Sequence, residues 1–315
     1  MRKSKALLLT EGMHGMISQV EGMAKALNAE YSHKIVRLSF PWGFIPPKCT
    51  PISEIILKDK IYLTENETPD LIISCGRKSV IPSIILKKKN PKIFTIHIQN
   101  PKVNLKNFDI VIAPEHDNLN GENIMNSKGA IHYITDLEIN NAKSYLESKI
   151  KNKKVVSLIL GGPNKYYNFD KSQLVKIFNE VRFSFINQGY QIIVIPSLRT
   201  PKPIIDLAIK EFKEDGYVLS TVDKQAYLSA LAIGTSIIVT CDSTSMISEA
   251  ATSGKPIFVA HMKTKKNNYR FKKFYKLFKD MGIIRDLGEK VENWKYDKLN
   301  EAERIAFKIK SKIKN

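Results

Sequence analysis

The chain has 315 residues, 43% hydrophobic and 9% aromatic, enough for two buried cores and too apolar for a disordered chain. No apolar run reaches the roughly 20 residues that span a bilayer, and three widely spaced cysteines (Cys49, Cys75, Cys241) fit a reducing compartment without a disulfide framework. A net charge of +19 admits nucleic acid, an anionic membrane or a phosphorylated substrate as partner, and lysines spread along the whole chain are equally explained by biased composition. No zinc-finger spacing or RRM signature accompanies the charge, which sets nucleic acid aside.

At the amino terminus, "MRKSKALLLTEGMHG" holds an apolar stretch of only "ALLL". That is too short for a secretion signal and suits a first strand, so a cytoplasmic protein is expected. "GMISQVEGMAKAL" follows at helical spacing. Between the two, residues 10–19 form a strand-to-helix turn. Gly12 and Gly15 permit a tight turn and close approach of a ligand, His14 sits in the turn, and Gln19 lies one turn into the helix. The same GxxG also serves as an ordinary strand–helix junction and falls short of the dinucleotide fingerprint.

The strands "KIVRLSF", "DLIISCG", "KIFTIHIQ" and "FDIVIAPEH" come next, with a helix "SVIPSIILKKK" before "KIFTIHIQ". Short, nearly continuous β-branched runs are strands buried on both faces, and their alternation with helices predicts a parallel, right-handed sheet. His97 lies within a strand and reads as a packed core histidine, whereas Gln99 ends that strand. At residues 113–121, "APEHDNLNG", Glu115, His116 and Asp117 cluster behind a strand. A carboxylate can fix the tautomer of His116 and raise its basicity, as a general base requires, although the same residues can simply cap a turn. No second ligand cluster at metal-binding spacing accompanies them, and no metal is expected.

A charged helical stretch, "TDLEINNAKSYLESKIKNKK", reads as a connector to a second α/β series. Its strands are "KVVSLILGG", "YQIIVIPS", "GYVLST", "SIIVTCDS" and "KPIFVA". Three strand ends carry polar residues where open α/β sheets bind ligands. Gly161 and Gly162 are followed by Asn164 and Lys165; the glycines can let amides converge on an anion, and Lys165 adds a charge. Ser197, Arg199 and Thr200 suit phosphate or ribose contacts, or a solvated turn. Ser243, Thr244 and Ser245 open a helix with Glu249 about one turn inside, which suits a nucleotide's diphosphate and ribose but is equally an ordinary N-cap. The expected fold class is α/β, with two Rossmann-like doubly wound domains facing across a cleft. The first covers 1–150 and the second 151–297, with the terminal helix 298–315 packing back on the first.

In order, "TEGMHGMISQVEGMAKAL", "SCGRKSVIPSIIL", "HIQNP", "PEHDNLNGENIMNSKGAIH", "LGGPNKYY", "PSLRTP" and "TCDSTSMISEAATSGKPIFV" resemble the ELM mitochondrial-fission family, whose bacterial members are grouped with glycosyltransferases. More distantly, the glycine loops and "SExxxxGKP" are similar to the lipid-II-forming N-acetylglucosaminyltransferase, a GT-B enzyme. The resemblance implies an acceptor domain followed by a donor domain. Gly161 and Gly162 would face the diphosphate of a nucleotide sugar, Ser243–Ser245 would lie near it, and Glu249 would take the ribose. The first loop departs from the relatives' DGxPGHxxQ pattern, with Glu11 for the Asp and His14 two positions early, which moves the expected base to His116.

No Asp-x-Asp occurs in the chain, so amides, helix N-termini, Lys165 or Arg199 are expected to stabilise the leaving diphosphate without metal or cofactor. The nucleotide sugar is the substrate. The loop "SFPWGFIPPKCTP", with Trp42 and Phe44, and the segment "YRFKKFYKLFK" suit an anionic membrane face and a lipid-linked acceptor, placing the protein peripherally at the inner membrane face. Helical spacing of Phe271, Phe274, Tyr275 and Phe278 equally suits a core. The main competing expectation is a non-catalytic interaction protein on the same scaffold; a nucleoside-diphosphate-sugar epimerase is a third, disfavoured because neither the GxGxxG fingerprint nor a Tyr-x-x-x-Lys pair in a suitable setting is evident.

Overall fold

The computed structural model describes residues 2–63 and 68–313, with the side chain of His116 excepted. Residues 314–315 of the expected terminal helix lie outside this range. The chain forms two compact α/β units: residues 1–133 with 300–315, and residues 134–299.

Unit 1 has a parallel sheet ordered β2-β1-β3-β4-β5-β6, built from β1 (Lys5–Thr10), β2 (Glu30–Ile35), β3 (Leu71–Cys75), β4 (Phe94–Ile98), β5 (Ile110–Pro114) and β6 (Ile124–Ser127). Successive strand residues face opposite ways, so one buried strand feeds two cores. Leu8, Ile73 and Ile96 pack with Val20 and Met23 of α1 (His14–Ala26) and with Ile305, Ala306 and Ile309 of α9 (Glu301–Ile313). On the other face, Leu9, Ile72 and Val111 meet Ile81, Ile84 and Ile85 of α2 (Val80–Lys89). Buried Glu301 fastens the terminal helix by accepting from the Lys128 amide at 2.6 Å and pairing with Arg304 at 2.7 Å.

Unit 2 repeats the plan. Its sheet runs β12-β11-β10-β7-β8-β9, from β7 (Val155–Leu160), β8 (Gln191–Pro196), β9 (Gly216–Val218), β10 (Ser236–Thr240), β11 (Ile257–Ala260) and β12 (Ile284–Asp286). The helices are α3 (Asp136–Asn141), α4 (Lys171–Ser184), α5 (Lys202–Phe212), α6 (Lys224–Ile233), α7 (Thr244–Ala251) and α8 (Tyr269–Asp280). Edge-to-face aromatic contacts hold the core, with Phe178–Phe212 ring centroids 5.1 Å apart and Phe185–Phe258 5.4 Å apart.

The boundary between the units falls at 133/134, where a boundary at 150/151 was expected. The reason lies in polar bonds: the Leu146 amide donates to Ser229 Oγ (3.1 Å), Ser229 Oγ to the Lys143 carbonyl (3.0 Å), and Tyr145 OH to Asp223 (2.6 Å). These ties make residues 134–150 part of the second unit.

Candidate functional site

Three loops meet at the carboxyl edge of the second sheet, after β7, β8 and β10, and a buried carboxylate joins them. Asp242 is 3% exposed. Its Oδ2 accepts from the Gly162 amide at 3.0 Å and from Arg199 Nη2 at 2.7 Å, and its Oδ1 accepts from Thr240 Oγ1 at 2.7 Å. Its backbone carbonyl takes the Asn164 Nδ2 proton at 3.0 Å. Burial pushes the Asp242 carboxyl up, against the pull of Arg199 and the Gly162 amide.

This arrangement redefines the two glycines. The Gly161 amide donates to Thr240 Oγ1 at 2.8 Å and the Gly162 amide to Asp242, so both are engaged inside the protein. A Cβ on Gly161 would stand 2.1 Å from the Asp242 carboxylate, and one on Gly162 would stand 2.0 Å from the Arg199 carbonyl. Glycine is required here so that the loops can touch. The expectation that these two amides face a diphosphate therefore needs revision.

Three other expected contacts are also spoken for. Asn164 Oδ1 accepts from the Tyr166 and Tyr167 amides at 2.7 and 3.0 Å. Thr200 Oγ1 accepts from the Ser197 amide and reaches the carbonyls of Leu160 and Gly161 at 2.9 and 2.6 Å. Arg199 is ion-paired to Asp242 and also donates to the Gly162 carbonyl at 2.8 Å, so it is not a free cation. Lys165 is exposed, its ammonium 4.8 Å from the centroid of the Tyr166 ring. Ser197 Oγ lies 3.2 Å from Thr200 Oγ1.

Around this tied core, α7 presents an open end. Ser243 caps it, Oγ accepting from the Met246 amide at 3.3 Å. The amides and hydroxyls of Thr244 and Ser245 have no protein partner among the described residues. Glu249 lies one turn on from Ser245, on the same helix face. It is partly buried, and its Oε2 accepts from Tyr227 OH of α6 at 2.8 Å. Burial pushes its carboxyl up to about 7, opposed by that hydrogen bond. Asp242, Thr240 and Tyr227 did not figure among the sequence candidates. The legible signal was Asp242 itself, an acid directly behind a fully buried strand.

In unit 1, Gly12 has φ +85° before α1, while a Cβ on Gly15 would meet nothing within 4 Å. His14 is exposed at the helix start, and Gln19 Nε2 is occupied by the Gly15 carbonyl at 2.9 Å. Gln99 adopts φ +87°, unusual for a residue with a Cβ, directly behind β4. His97 is buried, 2.8 Å from Ser74 Oγ, and burial lowers it to about 3. Glu115–Asp117 form a single 3-10 turn behind β5; the His116 side chain lies outside the described residues. Phe40 and Phe44 are 86% and 83% exposed, whereas Trp42 packs on the core. Phe274, Tyr275 and Phe278 are buried core residues of α8. Among the described residues no helix is long and apolar enough to cross a membrane, and no group of three or more His, Cys, Asp or Glu could hold a metal.

Two Rossmann-like parallel α/β units define the GT-B-like fold class. Over residues 14–313 the sequence matches the profile of the mitochondrial fission ELM1 family, and the chain belongs to that family. It is 25% identical to the mitochondrial fission protein ELM1 of Arabidopsis thaliana over 79% of this chain, spanning 65% of that protein's length. It is 26% identical to an uncharacterized protein of Rickettsia prowazekii, covering 95% of this chain and 94% of that one. The fold is shared with UDP-GlcNAc 2-epimerase of Methanocaldococcus jannaschii (TM-score 0.53, 15% identity, 98% of this chain and 99% of that one). It is shared too with the Neisseria meningitidis UDP-GlcNAc 2-epimerase solved with UDP-GlcNAc (0.53, 11%, 99% and 100%) and the kitacinnamycin glycosyltransferase (0.53, 10%, 97% and 91%).

Proposed function

We propose that unit 2 binds a nucleoside-diphosphate sugar and that the chain transfers its sugar to an acceptor hydroxyl. The observation that carries this reading is the open end of α7, where amides and hydroxyls at Thr244 and Ser245, unpartnered among the described residues, precede a carboxylate, Glu249, one turn on from Ser245. A helix N-terminus stabilises the charge of a leaving diphosphate without a metal, and a carboxylate accepts from ribose hydroxyls. In this reading Gly161, Gly162, Asn164, Thr200 and Arg199 build the wall, while Thr244, Ser245 and Glu249 touch the ligand. The solved relatives of the same fold include proteins with UDP-GlcNAc bound, which supports a nucleotide sugar as the ligand class.

We assign the acceptor's proton to His116 on unit 1, with Glu115 and Asp117 beside it in sequence. The acceptor is proposed to be a cell-envelope compound, with a lipid anchor accounting for the exposed Phe40 and Phe44. The family's name favours a second reading, an interaction protein whose nucleotide cleft is vacant. Thermal shift of the whole chain against UDP-, GDP-, ADP- and CMP-sugars separates the two. Transfer predicts a midpoint that climbs with the concentration of one donor, and His116→Ala should abolish sugar transfer while leaving that climb intact. A flat response across the panel favours the interaction reading.

A further inference from the structure

A cavity of about 650 Å³, large enough for a small molecule, opens beyond the carboxyl ends of β11 and β12. These two strands run parallel, with Val259 paired to Asp286, so both chain ends deliver residues to the same place. Residues 261–264 form one wall and α8 the other. On α8, Lys272, Lys276 and Lys279 recur at helical spacing and share a face with Tyr275, whose ring is buried. Met262 and Tyr275 make the floor apolar.

The charges are unevenly matched. Lys276 pairs with Asp280 at 3.1 Å, and Lys279 pairs with Asp286. Asp286 also holds His261 Nε2 at 2.8 Å, and the His261 ring stands edge-on to Tyr275. Burial opposes ionisation of Asp286, but the bonds from Lys279 and His261 outweigh it and hold the carboxyl below its usual range. Lys263 and Lys272 have no carboxylate partner among the described residues. The cavity therefore combines two uncommitted cations, a hydrogen-bonding histidine–aspartate pair and an apolar floor.

We propose that this cavity is a second ligand site, for a small phosphorylated sugar or polyol. The phosphate is held by Lys263 and Lys272, hydroxyls bond to Asp286 and His261, and the C–H face rests on Tyr275 and Met262. A purely anionic ligand would need no acceptors, and a neutral sugar would leave the two lysines unused; only a molecule carrying both groups uses the whole lining. This site does not depend on the nucleotide reading, because none of its residues belongs to the α7 set.

The test is calorimetric titration of the whole chain with glucose 1-phosphate, inorganic phosphate and glucose at fixed ionic strength. Lys263 and Lys272 are exposed, so Lys263→Glu/Lys272→Glu should fold; Lys171→Glu/Lys176→Glu, exposed on α4, makes the same change in net charge elsewhere. Glucose 1-phosphate should bind saturably to the native chain. Its affinity should fall at least about tenfold in the cavity variant, since one charge-assisted bond is worth about that factor, and stay within twofold in the control. Asp286→Asn should weaken glucose 1-phosphate and leave inorganic phosphate as tight or tighter. Equal weakening in both charge variants, absence of saturable binding, glucose binding as tightly as its phosphate, or an Asp286→Asn variant that binds glucose 1-phosphate as tightly as the native chain does would each overturn the proposal.

Discussion

Glu249→Gln isolates the electrostatic cost of the α7 carboxylate. In the folded chain Glu249 is partly buried, receives one hydrogen bond from Tyr227 and pairs with no lysine or arginine among the described residues. Its carboxyl is raised from 4.5 to about 7. A raised acid favours the protonated fold, so stability is full below about pH 4.5 and falls as pH climbs through 7. The span amounts to about 3 kcal/mol at most, and partial exposure reduces it to about 1–2 kcal/mol.

Glutamine keeps an oxygen for Tyr227 and never ionises. The variant should thus match the native chain near pH 5 and exceed it by about 1–2 kcal/mol at pH 8. The chain has two tryptophans, Trp42 in unit 1 and Trp294 in unit 2, so urea melts in a Trp42→Phe background report unit 2 alone. A difference between the two chains that is independent of pH, or a glutamine variant less stable at pH 8, would refute the desolvation argument.

Two further outcomes follow from the same physics. Gly162→Ala forces a Cβ to 2.0 Å from the Arg199 carbonyl and should cost about 1–3 kcal/mol or more in urea unfolding, whereas Gly15→Ala, with open space around it, should be neutral or slightly stabilising. His97, lowered to about 3 by burial, binds its proton only in the unfolded chain between pH 6.5 and 3; unit 1 should therefore lose stability as pH falls through that window, seen as smaller hydrogen-exchange protection factors in β3–β5 once the intrinsic rate is divided out, and His97→Gln should flatten the loss.

The central strands of both sheets were legible because strands buried on two faces are nearly continuous apolar runs, as "ALLL", "LIIS", "VVSLIL" and "SIIVT" are, with β-branched residues and strand-like lengths arbitrating against helix. Edge strands were harder. β2 was expected at "KIVRLSF" and lies at Glu30–Ile35, a largely exposed strand with little apolar content, while Val36 and Leu38 pack into the core from the loop. β6 and β12 were missed because four and three residues with one covered face leave little pattern.

The loops of the candidate site could be found from the rule that strand ends carry ligands. Their internal wiring could not, since glycine's freedom looks the same whether its amide faces a ligand or a neighbour's carboxylate. Asp242 and the two glycines stand 80 residues apart in the chain, and only the fold shows that each explains the other.

The two-part composition of unit 1 bears on how the protein is made on the ribosome. Its sheet is complete by residue 133, but Ile305, Ala306 and Ile309 arrive only after all of unit 2 has been translated. At ordinary elongation rates that interval is roughly 10–30 s. Throughout it, the face of α1 that α9 covers is left to solvent or to a chaperone, while unit 2 can close around a continuous stretch of chain. Nascent unit 1 is thus the part of the molecule most exposed to aggregation, and truncation before α9 should turn a transient risk into a permanent one.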